Sequence, residues 1–308
     1  MKHAPTAALA LERRSGKPPV AHRSVRLQVL FLFGALGVAC RPPPDLVDDS
    51  TDDLSLTDVI PRLFDQHEGT TDDLATLIAA MEDRLAALAV PLDGARRDRE
   101  FSLAPLTPDL LGGIPFPEGA SPDDQYAVVV FSRSRHDWDT ALTTALEPNQ
   151  VCIESKTTVY YQRAYTSDDA CFRSGSCGAL TSDNEVRKEL SILANGWYDL
   201  RKDFRRFETA DGRRVLLARA WLPRIFPLNG NNRAVQTFTV ETWIEQGDAV
   251  DRMFALWGQL EIGLPRAAMR DLTSNTLDEA MERQDLWNET TDPSTYCRQD
   301  RDRPNDRG

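Results

Sequence analysis

Residues 204–222 read FRRFETADGRRVLLARAWL, and this stretch decides the fold. Phe204–Thr209 and Arg213–Leu222 flank Asp211-Gly212, which predicts an antiparallel hairpin because glycine accepts the positive φ of a tight turn. From Trp197 onward the apolar pattern has period two, the period of a strand. Leu228-Asn229-Gly230-Asn231-Asn232 makes the next turn, Val235–Ile244 a strand, Glu245-Gln246-Gly247-Asp248 a turn, and Met253–Ile262 another strand. Four successive strands joined by short turns form a meander. Leu264-Pro265 ends it, and a closing helix is expected over roughly 276–287, with Thr276 and Glu279 at capping-box spacing.

Toward the N-terminus the period changes to that of helices. Thr57 is expected to cap a first helix carrying Val59, Ile60, Leu63 and Phe64 on one face. Thr71 is expected to cap a second, with Leu74, Leu77, Ile78, Met81, Leu85 and Leu88 at three-and-four spacing. Residues 91–123 are punctuated by proline and glycine and predict an irregular connector. Tyr126–Phe131 predicts a buried strand, Asp137–Leu146 a short helix, Val151–Tyr165 an alternating strand, and residues from about Asp183 to Leu193 a helix. Helices, then a meander, then a closing helix make an α+β domain. If the sheet curves round the last helix, an apolar cavity opens between them.

Residues 1–39 have a different character. Six basic residues (Lys2, Arg13, Arg14, Lys17, Arg23 and Arg26) face one acid, Glu12, ahead of an apolar run from Leu27 to Ala39. That order predicts a secretory signal, and the run is too short to span a bilayer comfortably, which takes about 20 residues. Gly37-Val38-Ala39-Cys40 resembles the lipobox of bacterial lipoproteins, which implies lipidation of Cys40, a membrane contact through that anchor, and a place in the bacterial cell envelope with the outer membrane favoured. The expected organisation is a signal at 1–39, a lipidated tether at 40–53, one domain at 54–290 and a polar tail at 291–308. With Cys40 set aside, Cys152, Cys171, Cys177 and Cys297 can close two disulfides in three connectivities. Cys171 and Cys177 flank a short polar loop that a local bridge would staple, and Cys152 with Cys297 would then join a strand to the tail.

Composition and motifs exclude more than they assign. The chain has 308 residues, 41% of them hydrophobic, and a formal net charge of −12, enough for a sizeable core and wrong in sign for a nucleic-acid binder. Four histidines, two of them within the first 22 residues, leave little for a metal site. No nucleophile elbow, phosphate-binding glycine loop or zinc-protease motif occurs, so the expectation is a non-enzyme without cofactor or metal. His136 beside Asp137-Trp138-Asp139 reads as a helix start with acidic caps. Aromatic residues crowd the strand region, among them Tyr160, Tyr161, Trp197, Tyr198, Phe204 and Trp243.

Trp138-Asp139, then Tyr160-Tyr161-Gln162, then Lys202-Asp203-Phe204 leading to Val215-Leu216-Leu217-Ala218, then Gly263-Leu264-Pro265, resemble the order of features in START domains. Lys202 stands where that family has arginine. The resemblance implies a helix-grip fold over roughly residues 75–290, holding a lipid between a curved antiparallel sheet and the C-terminal helix. The expected function is an envelope lipoprotein that binds a lipid or other apolar small molecule; the alternative is a non-catalytic outer-membrane accessory protein that binds a protein partner. Strand phase nominates Val215, Leu217 and Trp221, Phe238 and Val240, and Phe254 and Leu256 as ligand-lining residues.

Overall fold

The computed structural model describes residues 55–87, 103–190 and 194–290. Helices α1 (Leu56–Asp65) and α2 (Thr71–Ala87) lead to strand β1 (Tyr126–Ser134), helix α3 (Trp138–Ala145), strand β2 (Thr158–Tyr165) and a short helix α4 (Asp169–Arg173). Strands β3 (Ala179–Leu190), β4 (Ala194–Glu208), β5 (Arg214–Trp221), β6 (Phe226–Pro227), β7 (Arg233–Gln246) and β8 (Ala249–Glu261) follow, and helix α5 (Arg266–Glu289) closes the fold. All pairings are antiparallel, in the order β1-β8-β7-β5-β4-β3-β2 with β6 beside β7. The meander expected from Asp211-Gly212 forms, with Gly212 at φ 82° and Gly247 at φ 70° in the two hairpin turns. The fold is therefore the expected α+β sheet with N-terminal helices and a C-terminal helix.

Both sheet faces are covered, by different layers. On the outer face Val215, Leu217, Phe238, Val240, Ile244, Met253, Ala255 and Trp257 pack with Val59, Ile60, Leu63 and Phe64 of α1 and with Leu74, Ile78 and Met81 of α2. The connector adds Leu103, Leu106 and Leu111 to this core, and the Trp257 indole N–H donates to Ala104 O at 2.8 Å. On the inner face α3 and α4 cover one part: Trp138, Leu142 and Phe172 meet Leu180, Phe204, Leu216 and Trp243. Helix α5 covers another, with Leu277 and Met281 against Val128 and Val130 and with Met269 against Tyr126 and Ile262. Buried Arg252 ties α5 down through Asp285 at 2.9 Å and Gln284 at 3.2 Å.

Several local expectations need correction. Residues 183–190 belong to strand β3, not to a helix. The inward positions of this part of β3 are Ser182, Asn184, Val186 and Lys188, so the alternation is there but three of its four members are polar, and a reading by apolar period alone passes over it. Val151 and Ile153 are buried in turns ahead of β2, which starts only at Thr158. Ser55 caps α1, its backbone N–H and hydroxyl both donating to Asp58 at 3.3 and 2.6 Å, and Thr57 lies inside the helix. Thr70 rather than Thr71 caps α2, accepting from the Asp73 N–H at 3.2 Å. Thr276 sits in the middle of α5 and donates to Leu272 O at 2.8 Å, because the helix begins ten residues before the expected start.

Cys171 and Cys177 form the expected local disulfide, with Cα atoms 5.3 Å apart. Cys152 is disulfide-bonded as well, and Cys297, its expected partner, lies outside the described residues. So do Cys40, the signal and tether at 1–53 and the tail at 291–308. Replacing Cys171 and Cys177 together by serine is expected to lower stability by about 2 kcal/mol in the loop-entropy account. Urea unfolding of the double variant checks this; an unchanged midpoint would show that α4 holds the loop without the bridge.

Candidate functional site

A cavity opens between the inner sheet face and α5. It offers about 160 Å³ to the centre of a water-sized sphere. The sequence creates it by placing small or short side chains where two bulky layers would otherwise meet: Ala234, Thr237 and Thr239 on β7, and Thr273, Thr276 and Ala280 on α5. The apolar wall comes from Leu222, Leu228, Leu256, Leu260, Met269 and Leu272. Tyr126 lies across Gly258, its register partner on β8, where an added Cβ would stand 2.7 Å from the tyrosine hydroxyl. That burial pushes the Tyr126 hydroxyl up to about 12, so it stays a neutral wall of the cavity.

The β2–β3–β4 side of the cavity is polar. Lys202 Nζ lies 2.7 and 2.8 Å from the two carboxylate oxygens of Glu241, with both side chains under 10% exposed. Burial pulls the Lys202 ammonium down from its ordinary range and Glu241 works against that shift. Lys188 and Glu154 form a looser pair at 3.5 Å. Behind them Arg163 is buried, with Nε on Asn184 Oδ1 at 3.0 Å and Nη1 on Ala145 O at 2.6 Å, and its guanidinium stands over the Phe204 ring. Tyr161 donates to the same Asn184 oxygen at 3.2 Å. The Thr239 hydroxyl, also on the cavity wall, has no hydrogen-bond partner among the described residues.

Beside the cavity a second, shallower hollow runs along α5. Leu272 and Thr276 line both spaces, and Lys156, Thr157, Asn275, Asp278, Glu279 and Glu282 complete the outer one. Lys156 Nζ reaches Glu279 Oε1 at 3.5 Å, so one exposed ion pair joins the loop before β2 to α5 across this hollow. The arrangement reads as a mouth with a weak electrostatic latch.

Of the residues nominated from strand phase, Phe254 and Leu256 line the cavity. Val215, Leu217, Trp221, Phe238 and Val240 lie on the opposite face, in or against the core under α1 and α2. The reason is register. Phe238 pairs with Trp257 and Val240 with Ala255, so the β7 residues that share the face of Phe254 and Leu256 are Thr239 and Glu241. Alternation holds within each strand, but it does not carry the relative phase of two strands. Glu154, Lys188, Tyr198 and Lys202 escape strand-phase reasoning, because a search for apolar faces does not select charged or hydroxyl-bearing residues.

A second cluster lies on the outer face. His67, Glu68 and Asp203 bring possible metal-ligating atoms within 4.8 Å of one another. The position a cation would take is filled by Arg219, whose Nη2 is 3.0 Å from Glu68 Oε1 and 3.1 Å from Asp203 Oδ2. Arg205 adds bonds to His67 O at 3.2 Å and Gly69 O at 3.4 Å. The cluster is a clamp that fixes the α1–α2 turn to β4 and β5. Burial pulls the fully buried His67 ring below its ordinary pKa, against the hydrogen bond to Glu68 and with the help of Arg219; the His67 hydrogen bond in turn holds Glu68 at about 2.

A histidine held neutral in the fold but free to protonate when unfolded contributes stability above pH 6.5 that is lost as the pH falls below it. Glu68 adds a loss of the same sign from pH 4.5 downward. The urea midpoint is therefore expected to drop between about pH 7 and pH 5, and His67→Gln is expected to flatten that slope. An equal slope in both proteins would remove His67 from the account.

No family model matches this chain, and no curated protein is significantly similar to it. Similarity to solved structures is found. A STAR-related lipid transfer protein fragment from Xanthomonas axonopodis is 11% identical, covering 56% of this chain and 97% of its own, with a TM-score of 0.40. A START superfamily protein from Mycobacterium smegmatis is 8% identical, covering 53% and 97%, at 0.33. The Zhui aromatase/cyclase from a Streptomyces species is 7% identical, covering 54% and 94%, at 0.33. None of these scores reaches 0.5, so any statement about ligand or chemistry has to rest on the side chains of this chain.

Proposed function

We propose that this domain binds a lipid or other apolar small molecule in the cavity between the sheet and α5. The observation that carries the reading is the space that short side chains leave between the inner sheet face and α5. Protein interiors are packed to crystal density, so short side chains that hold two layers apart over this volume are a departure from ordinary core packing. A fold that keeps Ala234, Thr237, Thr239 and Ala280 where larger residues would fill the gap gains from an occupant. Six aliphatic or thioether side chains on one wall and hydroxyls and paired charges on the other suit a molecule with an apolar body and a polar end.

Native mass spectrometry of the purified protein is expected to show a co-purifying lipid or uptake of a fluorescent apolar probe. Leu256→Trp, which fills the space from β8, is expected to abolish both with the fold intact. A protein that carries no lipid and takes up no probe would overturn the reading.

We also propose, from the basic leader and Gly37-Val38-Ala39-Cys40, that the domain is held at the bacterial envelope by a lipid on Cys40. Cys40→Ser is then expected to move the protein from the membrane fraction to the soluble one without unfolding it. A variant that still sediments with membranes would remove the anchor from the proposal.

A further inference from the structure

The polar side of the cavity distinguishes among possible occupants, on the premise that the cavity binds an apolar molecule as proposed. Lys202 has two short bonds, both carboxylate oxygens of Glu241 lying within 2.8 Å. Lys188 has no such bond among the described residues. Glu154 Oε2 stands 3.5 Å away, at the outer limit of a hydrogen bond, and an ammonium has three N–H groups to place. Tyr198 lines the same cavity, and no hydrogen bond to its hydroxyl is made among the described residues.

Register brings the two together. Val186 pairs with Tyr198 and Lys188 with Gly196, so Lys188 and Tyr198 project from neighbouring strands on the cavity side. The Glu189 N–H donates to Thr157 O at 2.7 Å, which sets this part of β3 against the loop that lines the mouth.

The charge balance has the same sign. Lys188 and Lys202 line this side of the cavity with two carboxylates, Glu154 and Glu241, and Arg163, buried behind them, adds a third positive charge. Arg163 is bonded to neutral oxygens only, one of them Ala145 O at the C-terminal end of α3, whose partial negative charge offsets part of the excess. A neutral or cationic ligand leaves the remainder in place; a single negative charge cancels it.

We propose that the occupant is a monoanionic amphiphile, a chain carboxylate whose head lies between Lys188 Nζ and the Tyr198 hydroxyl. Its chain then runs along Leu222, Leu228, Leu260 and Met269. A carboxylate accepts from both donors, and the charge-assisted bond to lysine is the stronger of the two.

The test uses three probes with one tail: dodecanoate, 1-dodecanol and dodecylamine. Each is titrated at about pH 8, below its self-association concentration, into the purified full-length protein, and affinity is read by calorimetry. Dodecanoate is expected to bind at least about tenfold more tightly than 1-dodecanol, with dodecylamine weakest. Lys188→Met is expected to remove that preference, bringing dodecanoate affinity down to that of 1-dodecanol in the same variant. Glu154→Gln, which releases Lys188, is expected to raise dodecanoate affinity severalfold.

Equal or tighter binding of 1-dodecanol to the parent protein, or a preference that survives in Lys188→Met, would overturn the proposal while the cavity reading stood. Absence of binding by all three probes would defeat the cavity reading and this inference with it. Should Lys188→Met fail to fold, Glu154→Gln decides the matter: dodecanoate affinity that fails to rise overturns the proposal.

Discussion

Lys202→Met is expected to destabilise the domain by about 3–5 kcal/mol, whereas Lys202→Met combined with Glu241→Leu is expected to recover most of that loss. The two side chains are 8% and 9% exposed and bonded at 2.7 Å. Removing the cation leaves the carboxylate in an environment that has already pulled the lysine pKa down by burial, so one partner without the other is worse than neither. Chemical denaturation of the single and double variants measures the difference. The cavity sharpens the test, since Lys202 and Glu241 both line it. If water entering through the mouth solvates the orphaned Glu241, the single variant loses less than about 1 kcal/mol, as surface pairs do. The size of the loss therefore reports whether the polar wall is dry.

The parts of the fold legible in the sequence are those where a local signal and the global fold agree. Asp211-Gly212 and Gly247 mark turns whose φ values only glycine adopts at little cost, and the strands beside them alternate in the usual apolar sense. Strand β3 is not legible, because its inward face carries Ser182 and Asn184 in place of aliphatic residues. These positions support the polar side of the cavity: Asn184 accepts from both Tyr161 and Arg163. The same chemistry that furnishes the site hides the strand that carries it. The start of α5 is obscure for a related reason, since Met269 is the only buried residue in its first turns and Leu272 and Thr273 face open space.

The face of each pocket candidate is a separate problem. Alternation tells which residues of one strand share a side, but register tells which sides of two strands coincide, and register depends on turn geometry and tertiary packing. The β7–β8 pairing runs unbroken from Gln246 opposite Ala249 at the turn to Gln236 opposite Gln259, and this register, not the alternation within either strand, sets Phe238 opposite Trp257. Strand phase alone therefore groups Phe238 and Phe254 as candidates for one site, although they stand on opposite faces.

That separation gives a measurement. Phe238 is fully buried, its ring edge-on to Phe64 at 5.8 Å and stacked with Phe116 at 6.0 Å, with α1 packed over it. Phe238→Ala is expected to cost about 3–5 kcal/mol, the range for a large aromatic removed from a closed core, and to leave the affinity for an apolar probe unchanged. Leu256→Ala removes a side chain that already borders empty space, so fewer contacts are forfeited and the cost is expected nearer to about 2 kcal/mol. Its effect should fall on binding: the cavity widens, and longer apolar chains gain relative to shorter ones. Urea unfolding and a chain-length series of probes, run on both variants, separate the two faces. If Phe238→Ala alters chain-length preference and Leu256→Ala does not, the occupant sits beneath α1 and α2, and the space beside α5 is a packing gap instead of a binding site.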